Sequence, residues 1–296
     1  MHARAAAPAP TPTRNGLMEQ TSPALRPVIV RHRRPFSGTT LALLLVSLPM
    51  LLYLLFPMLA MILRVNPAML MGNLTNPEVG QAVWLSMLTT TCSTALGLGF
   101  GTPLAYLLAR RPFRGRSLLD TLIELPMVLP PSVAGIALLI AFGRRGVIGM
   151  WLNDAGVSIA FTTVAVVLAQ TFVAAPFYIK TAVAGFVGVE RELEQAAAID
   201  GATPPQVFIW ITLPLAWHVL LGGLVMSWAR ALGEFGATII FAGNFPGRTQ
   251  TMPLAIYLGF ELDLDLSLTL ALILLGVAFG ILWLVKAILR QRVSVL

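Results

Sequence analysis

The chain has 296 residues, of which 57% are hydrophobic and only 11% charged, with a mean hydropathy of +0.81 and a formal net charge of +7. This balance excludes an ordinary soluble globular domain and places the chain in a bilayer. The basic excess does not indicate nucleic-acid binding, because the arginines form short clusters beside apolar runs rather than one aromatic-bearing face, and the single cysteine, Cys92, excludes an intrachain disulfide or a cysteine-rich metal site.

Residues 1–37 are rich in Ala, Pro and Arg and lack an apolar run of signal-peptide type, so they read as a disordered basic cytoplasmic tail, with Met18 an equally good start. Residues 38–79 read as a first membrane helix and an outer loop, and residues 80–290 as the main membrane domain.

Crossing a hydrocarbon core of roughly 30 Å takes about 20 mostly apolar residues in a helix. Six stretches meet this, predicting an all-α integral membrane protein of about six spans. The first is bracketed by Arg34 and Arg64 with an apolar centre from Leu41 to Leu63, and the second by Glu78 and Arg110, centred on Val83 to Leu108. The third runs from Leu125 to Gly143, the fourth from Ala155 to Ile179 with room to continue past Lys180, the fifth from Leu213 to about Ile240, and the sixth from Leu266 to Val285.

Cytoplasmic segments of membrane proteins carry the excess of Lys and Arg. The tail, the second-to-third loop (Arg110, Arg111, Arg114, Arg116), Arg191 and the C-terminal Lys286, Arg290 and Arg292 outweigh Arg64, Arg144, Arg145 and Arg248 on the other side. Both termini are therefore expected in the cytoplasm, which also places the loop 186–214 there. No internal repeat and no inverted symmetry is evident.

That loop has a legible local structure. Good helix formers from Glu190 to Ile199 predict a short helix, Gly201 suits the left-handed residue that ends it, and Thr203 caps a second helix with proline at its first position. Two short helices joined by a sharp bend are the expected result.

In the third span Pro126, Pro130 and Pro131 remove backbone donors, so it must start with irregular backbone or a kink. Two readings of Pro130 and Pro131 stand: a helix entering beside a translocation path, or a simple kink satisfied by neighbouring helices. Pro176 reads as a bend. Arg230 and Glu234 lie one helical turn apart on the fifth span, near its outer end, and are close enough to pair. They fit either a guide or gate for an anion or a structural ion pair. Glu261, Asp263 and Asp265 precede the last span and fit a helix cap. His218 is the one histidine beyond the N-terminal region, and no His/Asp/Glu set has metal-ligand spacing. Lys180 and Lys286 are the only lysines and neither follows glycine, so a phosphate-binding Gly-Lys-Ser/Thr loop is absent.

Gln195, Ala196, Ala197, then Gly201 and Ile211, Leu213 and Pro214 closely resemble the EAA loop of ABC importer permeases: Glu-Ala-Ala, three residues, Gly, nine residues, Ile, any residue, Leu, Pro. Gln195 stands at the glutamate position with Glu194 just before it, a departure from the pattern. The runs from Glu124 to Gly135, Ala231 to Thr238 and Pro246 to Tyr257 look like the permease subunits of bacterial molybdate ABC importers, with tungstate and sulfate or thiosulfate permeases also similar.

The resemblance implies the type I ABC importer fold over about 80–290 and a multi-pass location in the bacterial cytoplasmic membrane. It implies that Glu194, Gln195, Ala196, Ala197, Asp200, Gly201, Ile211, Leu213 and Pro214 belong to a loop coupling this chain to an ATPase. It further implies a second permease copy (a homodimer), cytoplasmic ABC ATPase subunits carrying ATP and Mg, and a periplasmic or lipid-anchored molybdate-binding protein. This chain is then expected to bind lipid but no cofactor and to hydrolyse nothing itself. The rival from another class is an ion-coupled secondary transporter, for which the sequence lacks deeply placed carboxylates and internal repeats. A membrane enzyme lacks a convergent catalytic set.

Overall fold

The structure is a computed structural model and describes residues 38–293. The expected tail 1–37 lies outside the described residues. The chain divides at Leu54 into two units: the lesser comprises most of the first helix, and the greater runs from Leu55 onward. Among the described residues the helices are α1 Gly38–Arg64, α2 Pro67–Asn73, α3 Pro77–Arg110, α4 Arg116–Val128, α5 Pro131–Phe142, α6 Gly149–Asp154, α7 Thr163–Val187, α8 Arg191–Ile199, α9 Pro204–Val207, α10 Leu213–Leu232, α11 Gly236–Phe241, α12 Met252–Leu262 and α13 Leu264–Val293. Five stretches are long and apolar enough to span, and a sixth if the bent pair α4 and α5 forms one span.

The first, second and sixth expected spans match α1, α3 and α13 to within a few residues at most ends. The others need correction. The third begins at Arg116 rather than Leu125, and the kink expected from its prolines is a bend of 115° between α4 and α5. Pro126 is accommodated inside α4, whereas Leu129 and Pro130 are extended, because Pro131 starts a helix of its own and leaves its predecessor no helical conformation. The fourth starts at Thr163 rather than Ala155 and runs on to Val187, since Thr162 caps it by accepting the Ala165 N–H. The fifth ends at Leu232, where Gly233 stops it, and not near Ile240.

At its inner end the fifth span is longer than expected. A π-helical turn, Phe208–Thr212, joins α9 to α10, so the helix runs unbroken from Pro204 to Leu232. Pro214 explains the turn. In α geometry its ring would press on the carbonyl of Trp210, and widening the turn places the Leu213 N–H on the Phe208 carbonyl instead. The second short helix is thus the start of the span itself, not a separate surface element.

The core lies where α7 meets α3 and α10. Ala105, Ala109, Tyr178, Ile179, Ala182, Phe186, Ala216 and Leu220 are buried together. Small residues permit the approach that drives helix association in lipid. At Gly223 of α10 an added Cβ would stand 2.7 Å from the Thr181 Cβ of α7. A second cluster joins α5, α7 and α11 through Ala134, Leu138, Val166, Ala169, Val173 and Phe241. A third joins α3, α12 and α13 through Val79, Ala82, Met252 and Leu270.

Helix α3 also carries a buried polar stripe, Ser86, Thr89, Thr90, Ser93 and Thr94. Polar groups within a bilayer must be satisfied by the protein. Thr89 and Thr94 donate to the carbonyls of Leu85 and Thr90, each at 2.8 Å, and the Ser86 Oγ accepts the Met252 N–H at 2.7 Å. The last bond fixes the start of α12 against α3. Asp263 caps α13 by accepting the N–H groups of Asp265 and Leu266, the role expected for the acidic run.

Candidate functional site

The loop after α7 is built by local rules and then tied down by distant ones. Helix α8 places Glu192 and Glu194 in its first turn, where the helix dipole favours carboxylates. It ends as expected at Gly201, whose φ of +91° only glycine, and to a lesser degree asparagine, adopts readily. The N–H of Ala202 then reaches the Ala197 carbonyl at 3.0 Å, closing the orphan end of the helix. Thr203 starts the next helix, with its N–H held by the Gln206 Oε1 at 2.8 Å and Pro204 in first position.

Glu194 holds the loop to the membrane domain. Its Oε1 accepts from the Arg110 Nη2 at 2.9 Å and from the Thr212 hydroxyl at 2.6 Å, and the same Arg110 nitrogen donates to the Val189 carbonyl at 3.0 Å. The side chains of Arg110 and Glu194 are 7% and 15% exposed. One carboxylate thereby joins the end of α3, the helix α8 and the π-helical turn that leads into the fifth span. The helix α8 is thus tied to both spans through one side chain.

The departure at Gln195 now has a geometric meaning. Glu194 faces inward and is consumed by Arg110 and Thr212, whereas Gln195, Ala196, Asp200 and Gly201 are exposed and Ala197 is half-buried. Leu193 and Ile199 are exposed on the same helix, Ile199 to 86%. Ile211 and Leu213 are half-buried and Pro214 exposed, all three in the helix that continues into the span. An open cavity of about 400 Å³ lies beside this contact, lined among others by Tyr106, Arg110, Arg111, Arg191 and Glu194.

The sequence indicates Gly201 as the turn, and the structure makes its effect testable. Gly201 has open space around the missing Cβ, so substitution acts through backbone conformation alone. Gly201→Val is expected to cost about 1–2 kcal/mol locally. The unfolding temperature of the detergent-solubilised chain should fall in the Val variant, while Gly201→Asn retains most of it. Equal loss in Val and Asn variants would assign the effect to contact rather than to the turn.

A second set lies at the far end of the fifth span. Arg230 Nη1 pairs with the Glu234 Oε2 at 2.8 Å, and the Glu234 Oε1 accepts the Ala237 N–H at 2.8 Å, capping α11. Glu234 is 1% exposed and Arg230 30%. Gly236 packs against Pro131, so the bend of the third span and the Arg230–Glu234 turn form one assembly. Pro130 and Pro131 are exposed there.

One cluster escaped the sequence reading. Lys180 of α7 pairs with Asp120 and Glu124 of α4 at 2.8 and 2.7 Å. Two carboxylates thus lie within α4, in addition to the Glu234 that the sequence placed on the fifth span. The available signal was the four-residue spacing of Asp120 and Glu124, hidden because the third span was expected to begin only at Leu125.

Comparison with known proteins bears on the whole assembly. Residues 101–294 match the family model described as binding-protein-dependent transport system inner membrane component. The chain is 46% identical over 202 residues to the molybdenum transport system permease protein ModB of Mycobacterium tuberculosis, covering 68% of this chain and 76% of the relative. It is 40% identical over 222 residues to the protein of that name from Escherichia coli, with 75% and 96% covered. It is 39% identical over 274 residues to a probable molybdenum ABC transporter permease protein of Haloferax volcanii, with 92% and 98% covered. Among solved structures, one described as a bacterial ABC transporter involved in the import of the acidic polysaccharide alginate aligns with a TM-score of 0.67 at 18% identity, over 86% of this chain and 95% of that one. The low identity speaks for the fold alone, which is that of a type I ABC importer permease. A multi-pass helical chain with this match over most of its spans belongs to the binding-protein-dependent transport system inner membrane component family.

Proposed function

We propose that this chain is the membrane-spanning permease subunit of an ABC importer that moves molybdate across the inner membrane. The observation that carries the reading is the coupling loop, in register from Gln195 to Pro214 and tied by Glu194 to two spans, in a chain 39–46% identical to molybdenum permeases. Two copies form the path between them, and the exposed Leu193, Gln195, Ala196, Ile199 and Asp200 dock on separate ATPase subunits, which carry ATP and Mg. A binding protein loaded with the oxyanion delivers it to the outer side. The Arg230–Glu234 pair serves as a structural tie at the outer end of the fifth span, since the arginine is already neutralised by a buried partner.

The test is ATP hydrolysis in proteoliposomes holding this chain with its ATPase, facing binding protein loaded with molybdate, tungstate or sulfate. Stimulation of at least several-fold by the molybdate-loaded protein is expected. Stimulation by sulfate alone would move the chain to the sister permeases, and failure to form any complex with an ATPase would overturn the importer reading.

A further inference from the structure

Helix α4 is loosely held. It buries none of its residues, it starts after Gly115 at φ +90°, and it ends at the 115° bend. Its main neighbour is α7. The other faces of α7 are taken: Tyr178 and Ile179 lie against Gly101 of α3, and Thr181 against Gly223 of α10. Lys180 is left for α4, where it bridges Asp120 and Glu124.

These three side chains are 31%, 41% and 48% exposed, within helices that otherwise present apolar surface. At 100° per residue, Leu118, Leu122 and Leu125 share one face of α4, and Asp120 and Glu124 lie on the opposite side. All three leucines are exposed. An apolar stripe facing outward is what hydrocarbon requires, whereas ionisable groups inside a span face a protein interior or a water-filled cavity. The two sides of α4 therefore meet different media.

We infer that Asp120, Glu124 and Lys180 form a charged clamp on the wall of the aqueous translocation path, holding the bent third span against α7, with Leu118, Leu122 and Leu125 facing lipid. The inference rests on the permease reading above. The clamp carries one net negative charge, so it is a wall and positioning element and not a binding site for an oxyanion. Lys180 acts on transport by fixing the position of α4.

The experiment uses the assembled transporter in inverted membrane vesicles, in a Cys92→Ser background because Cys92 is exposed. Glu124→Cys and Leu122→Cys are treated with a membrane-impermeant cationic thiol reagent. Counted from Arg116, Leu122 lies about 9 Å along the helix and Glu124 about 12 Å, so Leu122 is nearer the expected cytoplasmic end. Glu124→Cys is expected to react at least tenfold faster. Faster reaction at the deeper position cannot come from headgroup exposure. Equal rates, or no reaction at Glu124→Cys, overturn the assignment of the wall. In parallel, Lys180→Glu should lower uptake at least tenfold, and adding Asp120→Lys should restore it to within about threefold. Lack of restoration overturns the clamp. If the parent transporter fails to move molybdate, the substrate reading fails, while the labelling contrast still decides the inference.

Discussion

Glu194→Ala is expected to detach the coupling loop and abolish ATP-driven transport. The substitution leaves the Arg110 guanidinium, 7% exposed, without its carboxylate and leaves the Thr212 hydroxyl without its acceptor. Breaking a buried pair from one side costs about 3–5 kcal/mol, because the remaining charge stays desolvated. At 1.4 kcal/mol per factor of ten, that is a drop of more than about a hundredfold in the docked population of α8. Glu194→Gln preserves shape and one acceptor, so it should retain part of the activity. The pair Arg110→Met with Glu194→Leu should be less damaging to stability than either single change, since it leaves no buried charge. Gln195→Ala, at an exposed position, should leave the loop in place and affect only partner affinity. ATPase co-purification and uptake, read beside thermal unfolding of the detergent-solubilised chain, check all of these. If Glu194→Ala left both functional readouts at wild-type level, the loop would not be held by this bond.

Glu234→Ala is expected to destabilise the far side of the same span. The carboxylate, 1% exposed, holds the Arg230 guanidinium and the Ala237 N–H in one place. Its removal should cost about 3 kcal/mol, less than a fully buried pair because Arg230 retains partial access to solvent. The turn from Gly233 to Gly236 would loosen, and with it the contact of Gly236 on Pro131 at the bend of the third span. Arg230→Gln should lower the unfolding temperature in parallel, and Arg230→Lys should restore most of it. Normal stability in Arg230→Gln, with uptake lost, would instead make Arg230 a guide for the anion.

Much of the fold was legible because its causes are local. Gly201, Thr203 and Pro204 define the turn of the coupling loop through their own backbone preferences. The apolar lengths of α3 and α13 follow from the thickness of the hydrocarbon core. The errors arose where a span boundary depends on neighbours. Apolar content continues past Leu232, yet Gly233 ends the helix there and Glu234 caps the start of the next one, and a hydropathy reading is blind to both. Likewise the prolines foretell a kink in the third span, but its size of 115° and the start of the span at Arg116 emerge only from the geometry.

The sequence by itself determined the membrane class, the all-helical architecture and the form of the loop 186–214, since each depends on residue type, length and short-range backbone conformation. The tertiary structure decided which carboxylate holds that loop, how sharply the third span bends and which carboxylates Lys180 pairs with. The physical reason is separation along the chain: Arg110 and Glu194 are 84 residues apart, Asp120 and Lys180 60. A buried charge is tolerable only beside its partner, and only the folded chain brings the two together.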